Sequence, residues 1–243
     1  MARLKIGLLG GSFNPAHDGH RHISLLALKQ LRLDQVWWLV SPQNPLKPQR
    51  GMAPLPQRLA GAKAQARHPR IRVSDLERRL GTRYTIDTLT SLRRRWPEHA
   101  FVWLMGADNL VQLPRWHRWR DIVDIMPMAI FNRAGPADGG PGGPGGRGGG
   151  AAGHRALAGA AATCYSAHRV QRPAELPLLA PPAWCFLFSR LHSASSTAIC
   201  AAIGAPHRTE GGTDEGNDGR IDRNNDGRND PNNDRRNDKM TSN

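Results

Sequence analysis

The sequence has little cysteine, no long apolar run and few acidic residues in most of its length. Only three cysteines occur among 243 residues, Cys164, Cys185 and Cys200, and no two of them have CxxC spacing. This pattern argues against a disulfide framework and against a cysteine zinc site. No apolar stretch approaches the roughly 18 residues that cross a bilayer, and the N-terminus "MARLKIGLLGG" lacks the pattern of a secretory signal. The sequence therefore predicts a cytoplasmic protein with no membrane partner.

The shortage of acidic residues gives the body of the chain a strong positive charge. Residues 1–204 contain 27 basic and 11 acidic residues, whereas residues 205–243 contain seven and nine. Such a body attracts polyanions, namely nucleotides, nucleic acid or acidic lipid. An ordinary solvated basic surface explains the charge equally well, so charge does not choose among these partners.

Short apolar runs alternate with helical patterns through the first 133 residues. Strands are predicted at "LKIGLL", "QVWWLVS", "RIRVSDLE", "AFVWLMGAD", "MPMAIFN" and, later, "AWCFLFS". This alternation predicts an α/β fold, a Rossmann-like parallel sheet flanked by helices. Ligands of such sheets bind beyond the carboxyl ends of the strands, near the topological switch point. The polar motifs "GGSFNPAHDGH", "SPQNPLK" and "GADNL" each follow a predicted strand and are expected on that one edge.

Two segments depart from this alternation. Residues 135–153 are predicted to be a Gly/Pro-rich linker or insert without core-forming residues. Residues 205–243 form an Asn/Asp/Arg/Gly-rich repeat with almost no apolar residue, and we predict a disordered tail there. The domain organisation expected is one domain over residues 1–204, followed by the tail.

The segment "GGSFNPAHDGH" has the composition of an anion site. Gly10 and Gly11 allow the backbone to approach a ligand and to adopt positive φ, and the N–H groups of the helix predicted after Gly19 attract negative charge. His17 and His20 lie three residues apart across a turn, so both imidazoles can face one phosphate cluster. Two other interpretations stay open: a turn with ordinary surface histidines, and a zinc pair for which no third ligand is evident.

Several motifs resemble those of one enzyme family. The segment "GSFNPAHDGH" resembles the (T/H)xGH signature of the nucleotidyltransferase superfamily. Together "SPQNPLKP", "RYTIDTL" and "MGADNLVQLPRWHRW" are similar to motifs of the nicotinate-nucleotide adenylyltransferase family. The resemblance covers about residues 4–133 and resumes at residues 183–203. It implies direct adenylyl transfer from ATP to nicotinate mononucleotide, which gives nicotinate adenine dinucleotide and pyrophosphate, a step of NAD biosynthesis.

The resemblance also implies the residues that carry this reaction. The catalytic set would be His17, His20 and Lys47. The ATP-binding positions would be Gly10, Gly11, Ser12, Phe13, His17, His20, Ser196 and Thr197. The mononucleotide-binding positions would be Thr85, Gly106, Asp108 and Trp116, with Trp116 stacked on the pyridine ring. Magnesium is expected on the ATP phosphates, without a protein metal cage.

Some of these residues also fit simpler interpretations. Lys47 fits an ordinary loop lysine, and Thr85 fits a helix cap. Trp116 and Trp119 fit hydrophobic anchors of a surface helix, which is the interpretation favoured for Trp119. Arg133 is a further candidate for a phosphate contact.

One position departs from the family pattern. The C-terminal ATP motif of the family usually reads Ser-Ser-Thr-x-Ile-Arg, whereas this chain has "SSTAIC" with Cys200 in place of the arginine. A neutral thiol lacks the charged, bidentate guanidinium fork. We therefore predict a working but weakened ATP site.

Two alternative functions remain from the sequence. One is adenylyl or cytidylyl transfer to another phosphorylated acceptor, such as phosphopantetheine. The other is a basic nucleotide- or RNA-binding protein with weakened catalysis, although a nucleic-acid partner is not expected. The sequence chooses neither between nicotinate and nicotinamide mononucleotide nor among oligomeric states.

Overall fold

The computed structural model describes residues 3–42, 51–132 and 148–188. In these residues, six parallel strands form one sheet. The strands are β1 (Lys5–Gly11), β2 (Gln35–Val40), β3 (Ile71–Ser74), β4 (Ala100–Gly106), β5 (Met128–Phe131) and β6 (Trp184–Leu187). The helices are α1 (Asp18–Gln30), α2 (Leu55–Ala66), α3 (Leu76–Leu80), α4 (Thr85–Arg95), α5 (Ala107–Gln112), α6 (Trp119–Ile125), α7 (Gly148–Leu157) and α8 (Ala160–Cys164). Short 3-10 helices occur at Leu113–Arg115, Ser166–His168 and Pro173–Leu178.

The strand order in the sheet is β3-β2-β1-β4-β5-β6. The first strand lies between β2 and β4, with Gly11 opposite Val40 on one side and Leu9 opposite Leu104 on the other. Because the chain moves outward from β1 in both directions, the β1–β4 junction is the topological switch point. The predicted α/β fold with a Rossmann-like parallel sheet is confirmed.

Helices cover both faces of the sheet. Strand side chains alternate between two buried clusters: Ile6 and Leu8 belong to one, whereas Leu9 belongs to the other. Strands β4, β5 and β6 are buried along their whole length, whereas β3, at the edge of the sheet, has one buried residue of four. Continuous apolar runs are what such a doubly covered parallel sheet requires, which is why short runs such as "AFVWLMG" were sufficient to locate it.

The structure differs from the sequence-based expectation in its shorter helices. The helices α3, α5 and α6 were not predicted. Helix α7 begins at Gly148, inside the segment predicted as an insert without core-forming residues, and its Gly153 is buried. The prediction for residues 135–153 is therefore wrong over its last part.

Other predictions lie outside the described residues. These are the predicted helix at "SSTAICAAI", the boundary at residues 204 and 205, and the tail over residues 205–243. Within the part of the chain that the structure describes, none of the helices combines the length and apolar character needed to cross a membrane.

Candidate active site

The loop after β1 positions the first group of predicted site residues. Gly10 and Gly11 are the last residues of β1 and have extended backbone, so neither uses the positive φ that is open to glycine. The left-handed conformation occurs instead at Phe13, with φ of 48°. Gly10 is required for another reason, because a Cβ atom there would lie 2.4 Å from the Trp103 indole. The loop passes through Ser12 and Phe13 to the first helix.

The histidine pair caps helix α1. His17 is the N-cap, and its Nδ1 accepts a hydrogen bond from the Gly19 backbone N–H at 3.1 Å. His20 is the third helical residue, and its Nδ1 accepts a hydrogen bond from the His17 backbone N–H at 3.3 Å. This is a capping box in which two imidazoles replace the usual hydroxyl and carboxylate. The helix therefore begins at Asp18, close to the start predicted after Gly19.

The capping box determines which nitrogen of each imidazole carries the proton. A neutral imidazole has one donor and one acceptor nitrogen. Because both Nδ1 atoms accept backbone hydrogen bonds, both neutral rings carry the proton on Nε2 as a donor. The centroids of the His17 and His20 rings are 3.9 Å apart, and His17 is buried. Two adjacent imidazole donors at a helix N-terminus, where the helix dipole is positive, suit an anionic ligand.

Aromatic side chains support the pair from the sheet side. The Phe13 ring stacks on Trp38 at 5.0 Å and contacts His20 at 4.6 Å between centroids. The Trp38 Nε1–H donates to Ser24 Oγ at 2.7 Å, and that hydroxyl donates to the His20 carbonyl at 2.8 Å. These contacts connect β2 to the first turn of α1, and thereby hold His20 in place.

A buried carboxylic acid lies behind the end of β2. Glu77, in α3, is 9% exposed. Burial raises the pKa of its carboxyl to about 7, although a hydrogen bond with the Ser41 side chain opposes the shift. Ser41 directly follows β2 at the same carboxyl edge as the histidine pair. Sequence reasoning missed Glu77, because an acidic residue in the motif "DLERR" is ordinarily exposed.

The second group of predicted site residues follows β4. Gly106 ends β4 and is the N-cap of α5, so Asp108 lies in the first turn of that helix. The chain continues through the 3-10 helix Leu113–Arg115 to Trp116, whose indole is partly buried and packs against the core. Trp119 begins α6, packs against the same core and lies under the Arg120 guanidinium, as an anchoring residue would.

Helix α4 is joined to this second group by a ring contact. The Tyr84 and His117 rings lie 4.3 Å apart, and these two residues neighbour Thr85 and Trp116 in the chain. Thr85 is the first helical residue; Tyr84 is the N-cap and provides no side-chain capping bond, so the prediction of a threonine cap is wrong. The structure thus brings the starts of "YTIDTL" and "WHRW" together.

Three of the predicted site residues, Lys47, Ser196 and Thr197, lie outside the described residues. The further candidate Arg133 and the departing position Cys200 also lie outside them. The other two cysteines are free, Cys164 exposed and Cys185 buried. Burial raises the pKa of the Cys185 thiol to about 12, so this group stays protonated.

The side chains at this edge of the sheet suit a metal ion that is bound mainly by the phosphates of a nucleotide. Mg²⁺ prefers oxygen ligands and keeps several waters. The described side chains here are mainly imidazoles, whose N–H groups are suited to phosphate oxygens, while Asp108 provides one carboxylate. Over residues 3–42, 51–132 and 148–188, no cluster of three or more His, Cys, Asp or Glu residues could hold a metal ion.

Comparison with known proteins gives concordant results. A family model described as cytidylyltransferase-like matches residues 8–200. A protein of Cereibacter sphaeroides named "Probable nicotinate-nucleotide adenylyltransferase" is 53% identical over 196 residues, which cover 81% of this chain and 96% of the relative. A protein of the same name from Parvibaculum lavamentivorans is 64% identical over 132 residues, 54% of this chain and 66% of the relative.

Solved structures share the fold at low sequence identity. The structure of Plasmodium falciparum nicotinic acid mononucleotide adenylyltransferase complexed with NaAD matches with a TM-score of 0.55 and 16% identity. The match covers 81% of this chain and 82% of that one. At this identity the likeness supports the fold of the described sheet and helices.

Proposed function

Because the chain belongs to the cytidylyltransferase-like family, and within it to the nicotinate-nucleotide adenylyltransferases, we propose that it transfers an adenylyl group from ATP to nicotinate mononucleotide. A phosphate oxygen of the mononucleotide attacks the α-phosphorus of ATP. The bond from that phosphorus to the oxygen bridging the α- and β-phosphates breaks, and pyrophosphate leaves. The other product is nicotinate adenine dinucleotide, the precursor of NAD.

The proposed role of the histidine pair follows from its geometry. During the transfer, negative charge increases on the oxygens between and around the reacting phosphates. Two Nε2–H donors, held in place by the capping box, would bind those oxygens and stabilise the charge in the transition state. No covalent intermediate is needed, so the contribution of the protein is positioning and electrostatic stabilisation. Gly10, Gly11, Ser12 and Phe13 would form the remainder of this ATP-binding loop.

Three residues beyond the described part complete the proposed ATP site. Lys47 would provide a further cation for the phosphates, and Ser196 and Thr197 would provide hydroxyl donors. With Cys200 in the arginine position, these contacts lack one guanidinium, and the affinity for ATP is expected to be reduced.

The proposed mononucleotide site uses the second group. Trp116 would stack on the pyridine ring, because a partly exposed indole is a flat, polarizable surface for a flat heterocycle. Backbone N–H groups near Thr85 would bind the nicotinate carboxylate, and Asp108, after Gly106, would bind a polar group of the mononucleotide. The Tyr84–His117 contact supports this assignment, since it brings the two halves of the site together.

Nucleotidyltransferases generally use a divalent metal ion with ATP, and we propose magnesium. Such an ion would neutralise part of the triphosphate charge when bound. His17 and His20 would hold the same phosphates from the protein side. A cytoplasmic location remains a prediction from the sequence.

One observation carries the proposal: the imidazole capping box lies at the carboxyl end of β1, beside the switch point, in a chain 53% identical to a relative named for this activity. The test is incubation of the protein with ATP, magnesium and one mononucleotide, followed by chromatographic identification of the dinucleotide. Nicotinate mononucleotide, nicotinamide mononucleotide and phosphopantetheine are compared.

We expect nicotinate adenine dinucleotide and an equal amount of pyrophosphate with the first acceptor. Product from phosphopantetheine alone would favour the alternative acceptor. Salt-sensitive retention of RNA without any pyrophosphate would favour the RNA-binding alternative.

A further inference from the structure

Arg58 is a buried arginine that joins three separate segments at the ATP end of the sheet. It lies in the first turns of α2 and is 4% exposed. Its Nη1 donates to the carbonyls of Ser12 and Ser41, both at 2.7 Å. Its Nη2 donates to the Pro42 carbonyl at 2.8 Å, and its Nε donates to the Ala53 carbonyl at 2.8 Å. One guanidinium therefore bonds four backbone oxygens.

The segments that Arg58 joins are also bonded to one another. The Asn14 side chain donates to the Gly51 carbonyl at 3.1 Å and accepts from the Ala53 N–H at 3.1 Å. The Ser41 N–H donates to the Gly11 carbonyl at 2.9 Å. The loop after β1, the start of the loop after β2 and the approach to α2 therefore form one bonded unit, with the guanidinium at its centre.

The position of this unit gives Arg58 a role at the site. The Ser12 carbonyl immediately precedes Phe13, which has the left-handed backbone and contacts His20. Ser41 and Pro42 directly follow β2, at the same carboxyl edge of the sheet. The guanidinium thus holds both the backbone that leads to the histidine pair and the backbone at the end of β2, and its donors are engaged with carbonyls.

We infer that Arg58 is a positioning residue for ATP: it fixes the Ser12–Phe13 loop against the Ser41–Pro42 segment, so that this loop and the histidine pair after it can bind the triphosphate. This inference rests on the proposed function. The residue acts through the loops and touches no reacting atom. The mononucleotide group at Tyr84 and Trp116 lies on other elements and takes no part in the Arg58 hydrogen bonds.

The planar fork explains why an arginine is needed. A guanidinium has five N–H donors in a fixed plane and can bond several separate carbonyls at once, whereas a lysine ammonium is a compact point charge with three donors. An Arg58→Lys variant keeps the charge but cannot keep all four bonds. A small hydrophobic residue would additionally leave four partly buried carbonyl oxygens without this donor.

The experiment compares Arg58→Lys, Arg58→Ala and the wild-type chain in three measurements. Calorimetry measures ATP binding, steady-state kinetics measure KM for each substrate, and hydrogen exchange measures the order of residues 11–17. We expect the Kd and the KM for ATP to rise about tenfold or more in both variants. The KM for nicotinate mononucleotide should change less than about threefold. Exchange should accelerate at residues 11–17 but not in α4.

Two controls separate positioning from general stability. Lys63→Ala removes an exposed cation from the same helix and should change none of these quantities. Methylguanidinium added to Arg58→Ala should restore part of the ATP affinity, because it can occupy the guanidinium position, whereas methylammonium should not. The Arg58→Lys variant keeps the test valid if Arg58→Ala does not fold.

Equal increases of KM for both substrates, or a lower melting temperature with unchanged ATP affinity, would overturn the inference. Failure of the proposed function is distinguishable from this. A chain that binds ATP in an Arg58-dependent way but makes no dinucleotide would contradict the proposed acceptor and retain the positioning role. Faster exchange at residues 11–17 supports that role without any nucleotide.

Discussion

His17 has a structural role as a helix cap and a proposed catalytic role as a hydrogen-bond donor, and substitutions can separate the two. The Nδ1 atom caps helix α1, while the proposed chemistry uses the Nε2–H donor. Asparagine is a good N-cap because its side-chain oxygen accepts a backbone N–H, whereas alanine provides no acceptor. The stability and the activity of variants at this position are therefore expected to change independently.

Replacement of His17 by alanine should lower the free energy of unfolding by about 1 kcal/mol, and His17→Asn should restore most of that loss. Both variants should reduce kcat by about 100-fold or more, because a donor to the reacting phosphates is lost. Urea unfolding measures the first effect and pyrophosphate release the second. A His17→Asn enzyme with the wild-type rate would refute the catalytic role.

Glu77 gives the protein a stability that depends on pH. Its pKa is about 7 in the folded state and near 4.5 in the unfolded chain, so the folded state binds the proton more tightly. The contribution of Glu77 to the free energy of unfolding should therefore fall by about 3 kcal/mol in total as the pH rises from about 4.5 to about 7, and stay level outside that range.

The substitution Glu77→Gln should remove this dependence. Relative to wild type, the variant should gain about 2.5 kcal/mol between pH 5 and pH 8, measured by urea unfolding. The exposed Glu175→Gln variant is the control, and its difference from wild type should stay constant. A constant difference for Glu77→Gln as well would show that the carboxyl is not held neutral by burial.

At the scale of the elements, the Trp103 indole of β4 packs against Gly10 of the neighbouring strand β1. A Cβ atom on Gly10 would lie 2.4 Å from the indole, whereas one on Gly11 would be 3.5 Å from its nearest neighbour, the Phe13 ring. The buried Trp103 Nε1 atom has no hydrogen-bond partner among the described residues. The indole is thus held by packing alone, and it can occupy this position only because Gly10 has no side chain.

Substituting Gly10→Ala should lower the free energy of unfolding by about 1–3 kcal/mol through overpacking. Combining it with Trp103→Phe should recover part of that loss, because the atoms that clash belong to the part of the indole that phenylalanine lacks. The Gly11→Ala variant is a matched control in the same strand and should unfold at nearly the wild-type denaturant concentration. Strictly additive effects of Gly10→Ala and Trp103→Phe would contradict this packing argument.

The strands could be predicted from the sequence, because a buried parallel strand is a short apolar run with turn residues at its ends. The helices α3, α5 and α6 have five to seven residues, too few for a 3.6-residue period to be recognised. Helix α7 begins with three glycines, which are poor helix formers. Its position depends on packing between elements, since a Cβ on Gly153 would lie 3.1 Å from Asn132.

The candidate site was predictable where it is contiguous in sequence. The histidine pair and the loop before it form one motif, and the capping hydrogen bonds join residues within that motif. Arg58, Glu77 and the Tyr84–His117 contact were not predictable, because each depends on residues that only the tertiary fold brings together. In the sequence, these residue types are those commonly found on the surface of helices and loops.

For the whole molecule, the tail beyond the last predicted helix is expected to be dispensable. A chain that ends at Ala205 keeps Ser196 and Thr197, and the removed segment contains almost no apolar residue that could contribute to a core. Its kcat and its KM for ATP should stay within about twofold of the full chain, since the proposed charge-assisted contacts are all retained.

A second truncation makes this test specific. A chain that ends at Phe188 keeps the six described strands but loses the proposed hydroxyl contacts to ATP. Its KM for ATP should rise about tenfold or more, as expected for the loss of hydrogen bonds to a charged group. Loss of activity in the Ala205 chain would show that residues 206–243 contribute to the enzyme.

The central place of β1 in the sheet determines the order in which the site is assembled on the ribosome. The strand is synthesised first, and its partners β2 and β3 follow soon after, so this half of the sheet can pair early. Its other neighbour, β4, pairs Leu104 with Leu9 only after most of the first half of the chain has emerged. A nascent chain that stalls before Gly106 therefore carries the imidazole loop without Asp108 and Trp116, and the two groups of proposed site residues come together late in synthesis.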